Sequence, residues 1–213
     1  MSSRERILRR VREALGEERG TSVDVPRRYR RRLTAAEAAT RADVIALFTE
    51  RVADHRATVR HTGADDLATS IAAALWAREA RRVVAPADLP FGWLAELDGV
   101  QAVADTGLTD LDTLAAVDGV VTGCAVAIAR TGTIVLDGGR AQGRRLLSLV
   151  PDYHLCVVHA DQIVGTVPEA VARLRPDRPL TWISGPCAAG GPEARRVEGG
   201  QGPRALEVLV VED

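Results

Sequence analysis

Glycine and arginine are concentrated in the segment between Thr131 and Arg145. Thr131-Gly132-Thr133 is followed by the run 137–145, which reads DGGRAQGRR. Glycine allows a positive φ and a close backbone approach, so successive amides can surround an anion, and Arg144 or Arg145 can bind a carboxylate or phosphate through two hydrogen bonds. The segment matches neither the GxGxxG nor the Walker-A nucleotide fingerprint, and a purely structural glycine-rich hairpin end would have the same composition. The candidate anion-binding residues here are Thr131, Gly132, Thr133, Gly139, Gln142, Gly143 and Arg144.

Two later loops have a similar composition. Ser184-Gly185-Pro186-Cys187 follows an apolar strand, and open α/β sheets bind ligands beyond the carboxyl ends of their strands. Cys187 would act as a nucleophile only beside a base, and because no histidine is near it in sequence we favour a small core residue. Gly202-Pro203-Arg204 precedes the last strand, where Arg204 either faces an anion or pairs with a surface acid. The candidate binding residues of these loops are Ser184, Gly185, Pro186, Gly202 and Arg204.

Residue types that are missing from the chain exclude several chemistries. All 28 basic residues are arginine, which excludes a Schiff-base lysine and a Walker-A lysine. Three cysteines are fewer than the four thiolates that usually hold an iron–sulfur cluster, and the four histidines show neither HExxH nor HxH spacing. We therefore predict no metal site and no cofactor on this chain, and we expect His154 to be a structural histidine.

Helical and extended patterns alternate along the chain, which favours helices that cover a largely parallel sheet. Ser3 is expected to cap a first helix over residues 4–15, which carries one apolar stripe. A charged linker follows this helix. The sequence therefore predicts a helical, basic arm of residues 1–33 and an α/β domain of residues 34–213.

Two local patterns inside the domain predict particular elements. Thr34-Ala35-Ala36-Glu37 has the capping-box pattern and predicts the start of a helix that ends at about His55. The β-rich runs 119–129 and 133–136 flank Arg130-Thr131-Gly132, and this arrangement predicts a hairpin.

The net charge of -1 is unevenly distributed, because residues 1–32 hold 11 arginines against five acidic residues. Such an arm either docks on an acidic surface, nucleic acid or anionic lipid, or is a solvated helix and linker. Aromatic residues are only 3% of the chain, so we do not expect a nucleic-acid partner. No signal peptide and no stretch of about 18 apolar residues is present, which predicts a cytoplasmic protein without a membrane span.

A series of short motifs occurs in a fixed order. They are Ala127-Ile128-Ala129-Arg130-Thr131-Gly132-Thr133, Gln142-Gly143-Arg144, Gln162-Ile163-Val164, Ile183-Ser184-Gly185-Pro186 and Gly202-Pro203-Arg204. In this order the chain resembles the lactate-utilisation protein C family (LutC/YkgG, the LUD domain), and the resemblance covers nearly the whole chain. It implies a three-layer α/β/α fold similar to the NagB/RpiA/CoA-transferase-like superfamily. It also implies a cytoplasmic system that oxidises L-lactate to pyruvate with iron–sulfur partner subunits.

The chain departs from the family pattern at three chemically important positions. Arg130, Gly191 and Gln201 stand where the family tends to have Glu, Asp and His. Three hypotheses therefore remain open. The protein is an accessory subunit that binds a small anionic ligand or a partner, a stand-alone CoA-transferase-like or folate cyclo-ligase-like enzyme acting on a carboxylate or phosphate, or a scaffold that has lost the site.

Overall fold

The structure is a computed structural model that describes residues 2–15, 24–26, 29–107, 109–187 and 202–212. It divides into two compact units, Met1–Arg30 and Arg31–Asp213. The described helices are α1 (Ser3–Ala14), α2 (Arg41–Asp54), α3 (Leu67–Ala77), α4 (Leu111–Ala115) and α5 (Val167–Arg173). The described strands are β1 (Thr58–Gly63), β2 (Arg82–Pro86), β3 (Gln101–Asp105), β4 (Gly119–Thr122), β5 (Val126–Ile128), β6 (Thr133–Leu136), β7 (Tyr153–His159), β8 (Ile163–Val164), β9 (Thr181–Ile183) and β10 (Ala205–Glu212).

Helix α1 lies in the first unit. Its cap is Ser2 and not Ser3: the Ser2 hydroxyl accepts a hydrogen bond from the amide of Glu5, and the Glu5 carboxylate accepts one from the amide of Ser2. A reciprocal pair of this kind satisfies two amides at once, which explains why the helix begins one residue earlier than expected. The apolar stripe is present, and Ile7 and Val11 on it are exposed.

The main sheet of the second unit is parallel throughout its described strands. Its order is β1-β10-β7-β4-β2-β3, so the last strand of the chain lies between the first strand and β7. Strands β7 and β4 are buried along almost their whole length, as apolar strands of a sheet covered on both faces must be. The carboxyl ends of β2, β3 and β4 therefore lie at one edge of the sheet.

A smaller second sheet has the order β8-β5-β6-β9. The hairpin predicted across residues 130–132 is confirmed, with β5 antiparallel to β6 and a short 3₁₀ turn over Ala129–Thr131. The predicted first β-run, 119–129, is wrong as a single segment. It breaks after Thr122 into two strands of different sheets, and the amide of Gly123 at the break donates to the carbonyl of Ala141 at 2.7 Å.

Helices cover both faces of the main sheet. Phe48 and Val52 of α2 are buried in a cluster that joins the main sheet to the smaller one, while Ile71 and Leu75 of α3 are buried on a cluster at the other face. The predicted α/β class, with helices on a mostly parallel sheet, is therefore confirmed. The sequence did not predict the separate smaller sheet.

The predicted start of α2 is wrong. Thr34 and Glu37 do make the expected contact, since the amide of Thr34 donates to Oε2 of Glu37 at 2.8 Å, but this contact closes only one turn. The helix begins at Arg41, after a second capping box in which Thr40 and Asp43 cap each other. Hydrogen bonds from the backbone amide of Thr40, from the Thr40 hydroxyl and from the amide of Ala39 hold the pKa of Asp43 below its usual value. Within the described ranges, no helix has the length and apolar character needed to span a membrane.

Candidate functional site

The loop after β6 is held in one shape by its own polar groups. The amide of Asp137 donates to Oε1 of Gln142 at 2.6 Å, and Oδ1 of Asp137 accepts from the amide of Gly139 at 2.9 Å. Oδ2 of Asp137 accepts from Nη1 of Arg178 at 2.9 Å. Gln142 and Gly139, both expected to bind a ligand, therefore fix the shape of this loop.

Backbone conformation in the same loop requires particular residues. Gly143 has a φ of 66°, and a Cβ there would lie 2.4 Å from Cδ1 of Leu147 and 3.2 Å from Cγ of Pro86. Ala141 has a φ of 61°, which is uncommon for a residue with a side chain. Its carbonyl is held by the amide of Gly123. Backbone strain of this kind persists only where the surroundings determine it, and it is concentrated at functional sites.

Arg144 reaches back to the carboxyl end of β3. Its Nε lies 2.9 Å from Oδ2 of Asp105, its Nη2 lies 3.2 Å from Oδ1, and Nη2 also donates to the carbonyl of Thr109. The Asp105 side chain is 2% exposed. Burial raises the pKa of Asp105, but the hydrogen bonds from Arg144 and Thr109 and the charge of Arg144 outweigh it, so the pKa is below its usual value. The arginine predicted to bind an external anion thus already binds an internal carboxylate.

A cavity of about 450 Å³ lies beside this loop. Its charged lining consists of three guanidinium groups, from Arg144, Arg145 and Arg178, and one carboxylate, from Asp137. The other residues that line it are Leu136, Gly138, Gln142, Gly143, Ser148, Pro179 and Thr181.

A second cavity, of about 350 Å³, adjoins the first, because Arg145, Ser148 and Thr181 line both. Its other lining residues are Leu149, Leu180, Trp182, Ile183, Ser184, Gly185, Cys187, Gly202 and Pro203. We call the two cavities together the arginine groove. The three loops singled out by the sequence therefore contribute to two adjoining cavities.

Some predicted residues lie in the arginine groove and others do not. Those that line it are Gln142, Gly143, Arg144, Ser184, Gly185 and Gly202. Pro186 is absent from the lining residues of both cavities as described. Arg204 places its Nε 3.4 Å from Oδ1 of Asp152 with both side chains exposed, so it pairs with a surface acid.

The Thr-Gly-Thr motif contacts the groove only indirectly. The hydroxyls of Thr131 and Thr133 lie 2.7 Å apart, and that of Thr133 lies 2.8 Å from the hydroxyl of Ser184. Gly132 has a φ of 59°, and a Cβ there would lie 2.6 Å from the carbonyl carbon of Arg51. This glycine is required by the close approach of the hairpin to the end of α2.

Thr131 and Arg130 line a third cavity, of about 690 Å³. Here Nη1 of Arg130 lies 3.6 Å from Oε1 of Glu37, and Nε2 of His55 lies 3.0 Å from the carbonyl oxygen of Thr131. Glu37 therefore pairs with Arg130, one of the three residues expected to depart from the family pattern. Gly191 and Gln201, the other two, lie outside the described residues.

Among the groove residues that the sequence reasoning missed are Ser148, Arg178 and Thr181. Ser148 is buried, and its hydroxyl donates to the carbonyl of Arg145 at 3.1 Å. Arg178 lies in a charged turn between α5 and β9, where nothing local distinguishes it from the neighbouring Arg175. Its contact with Asp137 places it at the groove.

The cysteines divide between the core and the groove. Cys124 and Cys156 are buried, and a hydrogen bond with the Cys156 thiol, together with burial, raises the pKa of Cys124 well above its usual value. Cys187 lines the groove, but the described lining residues of the groove include no histidine that would act as a base. Across the described ranges, no group of three or more His, Cys, Asp or Glu side chains is placed to hold a metal ion.

His154 is fully buried in β7. Its Nε2 lies 2.7 Å from the hydroxyl of Thr122, and its Nδ1 has no hydrogen-bond partner among the described residues. Burial lowers the pKa of His154 to about 4, so the ring is neutral at neutral pH. This geometry is that of a structural histidine that is half satisfied by hydrogen bonds.

Comparisons with known proteins agree with the fold. The model of the LUD domain matches residues 30–211. A curated protein of Deinococcus radiodurans named Lactate utilization protein C is 47% identical over 176 residues, which cover 81% of this chain and 81% of that protein. A crystal structure of a DUF162 family protein, also from Deinococcus radiodurans, superposes with a TM-score of 0.69 at 45% identity and covers 81% of this chain and 99% of that one.

Proposed function

This chain belongs to the LUD domain family, and we propose that it serves lactate utilisation as an accessory subunit that binds a small anion in the arginine groove. The observation that carries the proposal is the wall shared by the two cavities. Arg145, Ser148 and Thr181 line both cavities, so that segments far apart in sequence line adjoining cavities, the first of which is rich in arginine. Lactate utilisation is supported by the name of the relative from Deinococcus radiodurans.

The proposal assigns electron transfer to other polypeptides. The chain has three cysteines, and two of them are buried, with the Cys124 thiol held protonated by its neighbour and by burial. Thiolates, not thiols, are ligands of iron–sulfur clusters, and a typical cluster takes four of them. We therefore place the clusters on iron–sulfur partner subunits in the cytoplasm, and no cofactor on this chain.

A genetic experiment tests the role in lactate utilisation. The gene is deleted, growth on L-lactate is measured, and the deletion is complemented with the wild type, with Arg145→Gln and with Arg175→Gln. Arg175 is the matched control, since it is exposed and pairs with Asp177 in the turn before the groove. We expect growth with the wild type and the control, and slower growth with Arg145→Gln.

Co-purification tests the partners. A tagged chain expressed in lactate-grown cells is expected to retain iron–sulfur proteins, which are recognised by their absorbance near 400 nm and by iron and sulfide content. Normal growth of the deletion strain on lactate, or a tagged chain that never associates with such proteins, would refute the accessory role.

A further inference from the structure

We propose that the arginine groove takes an organic phosphate, a molecule in which a phosphate group is attached to a larger organic part. This inference rests on the proposed function, because it names the ligand class of the same site. It concerns Arg144, Arg145 and Arg178 in the first cavity and the less charged second cavity beside them.

The number and kind of donors in the first cavity fit phosphate. Three guanidinium groups line it, Asp137 is the one carboxylate of the lining, and Asp105 pairs with Arg144 from outside the lining. Nη1 of Arg178 binds Asp137, and Nε and Nη2 of Arg144 bind Asp105. Among the described residues, these ion pairs do not occupy Nε and Nη2 of Arg178 or Nη1 of Arg144. A phosphate monoester has three terminal oxygens and up to two negative charges, whereas a carboxylate has two oxygens and one charge. Because Asp105 and Asp137 pair with two of the three arginines, the preference for phosphate over lactate rests on the number of N–H donors and not on net charge.

Internal carboxylates also fix two of the three arginines before a ligand arrives. Arg144 is held by two hydrogen bonds to Asp105, whose side chain is buried. Asp137, which holds Arg178, is itself fixed by the amide of Gly139. A guanidinium group that is already oriented loses little side-chain entropy when it binds an anion, so a site of this kind gains affinity without additional charge.

The size of the groove fits a ligand larger than a three-carbon acid. The cavities of about 450 and 350 Å³ each fall in the range of roughly 300–1,000 Å³ that is usual for small-molecule sites. The second cavity is lined by Trp182, Ser184 and several apolar residues, and its one charged lining residue as described is Arg145. The phosphate would occupy the first cavity and the organic part the second.

Isothermal titration calorimetry on the full chain tests the ligand class. The probes are inorganic phosphate, a hexose phosphate, ADP and L-lactate at equal ionic strength. We expect at least one organic phosphate to bind at least tenfold more tightly than L-lactate and than inorganic phosphate. Arg178→Gln and Arg145→Gln are expected to weaken that binding at least tenfold, and Arg175→Gln to leave it within twofold. Because Arg145 is exposed, its variant remains informative if Arg178→Gln does not fold.

The outcomes separate this inference from the proposed function. If L-lactate binds as tightly as every phosphate or more tightly, and Arg145→Gln weakens that binding, the ligand is not an organic phosphate. The proposal of an anion-binding accessory subunit would then stand. Phosphate binding that is unchanged in both groove variants would overturn the assignment to this groove. If no probe binds while the deletion strain fails on lactate, the ligand class is wrong and the role in lactate utilisation stands.

Discussion

Replacing His154 with glutamine is expected to flatten the dependence of stability on pH between about pH 6.5 and pH 4. In the folded protein, burial lowers the pKa of this ring to about 4, whereas an unfolded chain has the ordinary value of 6.5. Between these two pH values the ring binds a proton in the unfolded state but not in the folded state. The free energy of unfolding of the wild type therefore falls as the pH falls from 6.5 to about 4. Above pH 6.5 the ring is neutral in both states, and this loss of stability is absent.

The size of the effect follows from the difference between the two pKa values. A shift from 6.5 to about 4 corresponds to roughly 3 kcal/mol of unfolding free energy lost at the acidic end of the window. Glutamine keeps an N–H donor for the hydroxyl of Thr122 but carries no titrating group. At neutral pH the variant is expected to be less stable than the wild type, because the imidazole fills a fully buried position.

Urea unfolding at pH values from 7.5 to 4.5, for wild type and His154→Gln, measures the difference between the two pH profiles. Thr122→Val is the matched control. It removes the hydroxyl partner and lowers stability at every pH, but it leaves the ring buried, so its pH profile is expected to parallel that of the wild type. Parallel profiles for wild type and His154→Gln, or an NMR titration of His154 with a midpoint near 6.5, would refute the reasoning.

Three further substitutions test the fold by urea unfolding. Gly132→Ala is expected to lower the free energy of unfolding by about 2 kcal/mol or more, because Gly132 has a φ of 59° and the adjacent backbone leaves no room for a methyl group. The control is Gly92→Ala, where a new Cβ would have no atom within 4 Å, and it should change the free energy of unfolding by less than about 0.5 kcal/mol. Equal effects of these two would contradict the close approach of hairpin and helix. Glu207→Gln is expected to cost about 2 kcal/mol, since its buried carboxylate lies 2.8 Å from Nε of Arg60, and a double variant that also lacks the Arg60 charge should lose less than the sum of the two single changes. Additive effects would show that the two do not interact. Thr40→Ala removes one half of the capping box and should cost about 1 kcal/mol, and no loss would place the start of α2 elsewhere.

Local patterns in the sequence were sufficient for the elements that depend on neighbouring residues. The apolar stripe of α1, the hairpin around residues 130–132 and the alternation of helices and strands are set by side chains a few positions apart, and each is found in the structure. The ordered short motifs likewise identified the family, since they need only the order of residues along the chain. Composition alone excluded whole classes of chemistry, because a chain without lysine has no amine side chain to act as a nucleophile or to hold a phosphate.

Local patterns failed where two segments satisfied the same rule. Thr34 donates to the Glu37 carboxylate through its amide and its hydroxyl, and Thr40 and Asp43 form reciprocal hydrogen bonds, but only the second pair starts the helix. The buried side chains of α2, Ile45, Phe48 and Val52, all follow Thr40, and their burial against the sheets is a tertiary contact.

The candidate site was decided by contacts between distant residues. The sequence could name Arg144 as a cation, but not that Asp105, 39 residues away, would hold it, nor that Arg178 would join it through Asp137. The amino-acid sequence therefore determined which residue types were available, and the chain topology determined which of those residues line the same cavity. The physical reason is that turns and helices are stabilised by contacts within a few residues, whereas a binding groove is formed by segments that meet only after the strands have paired.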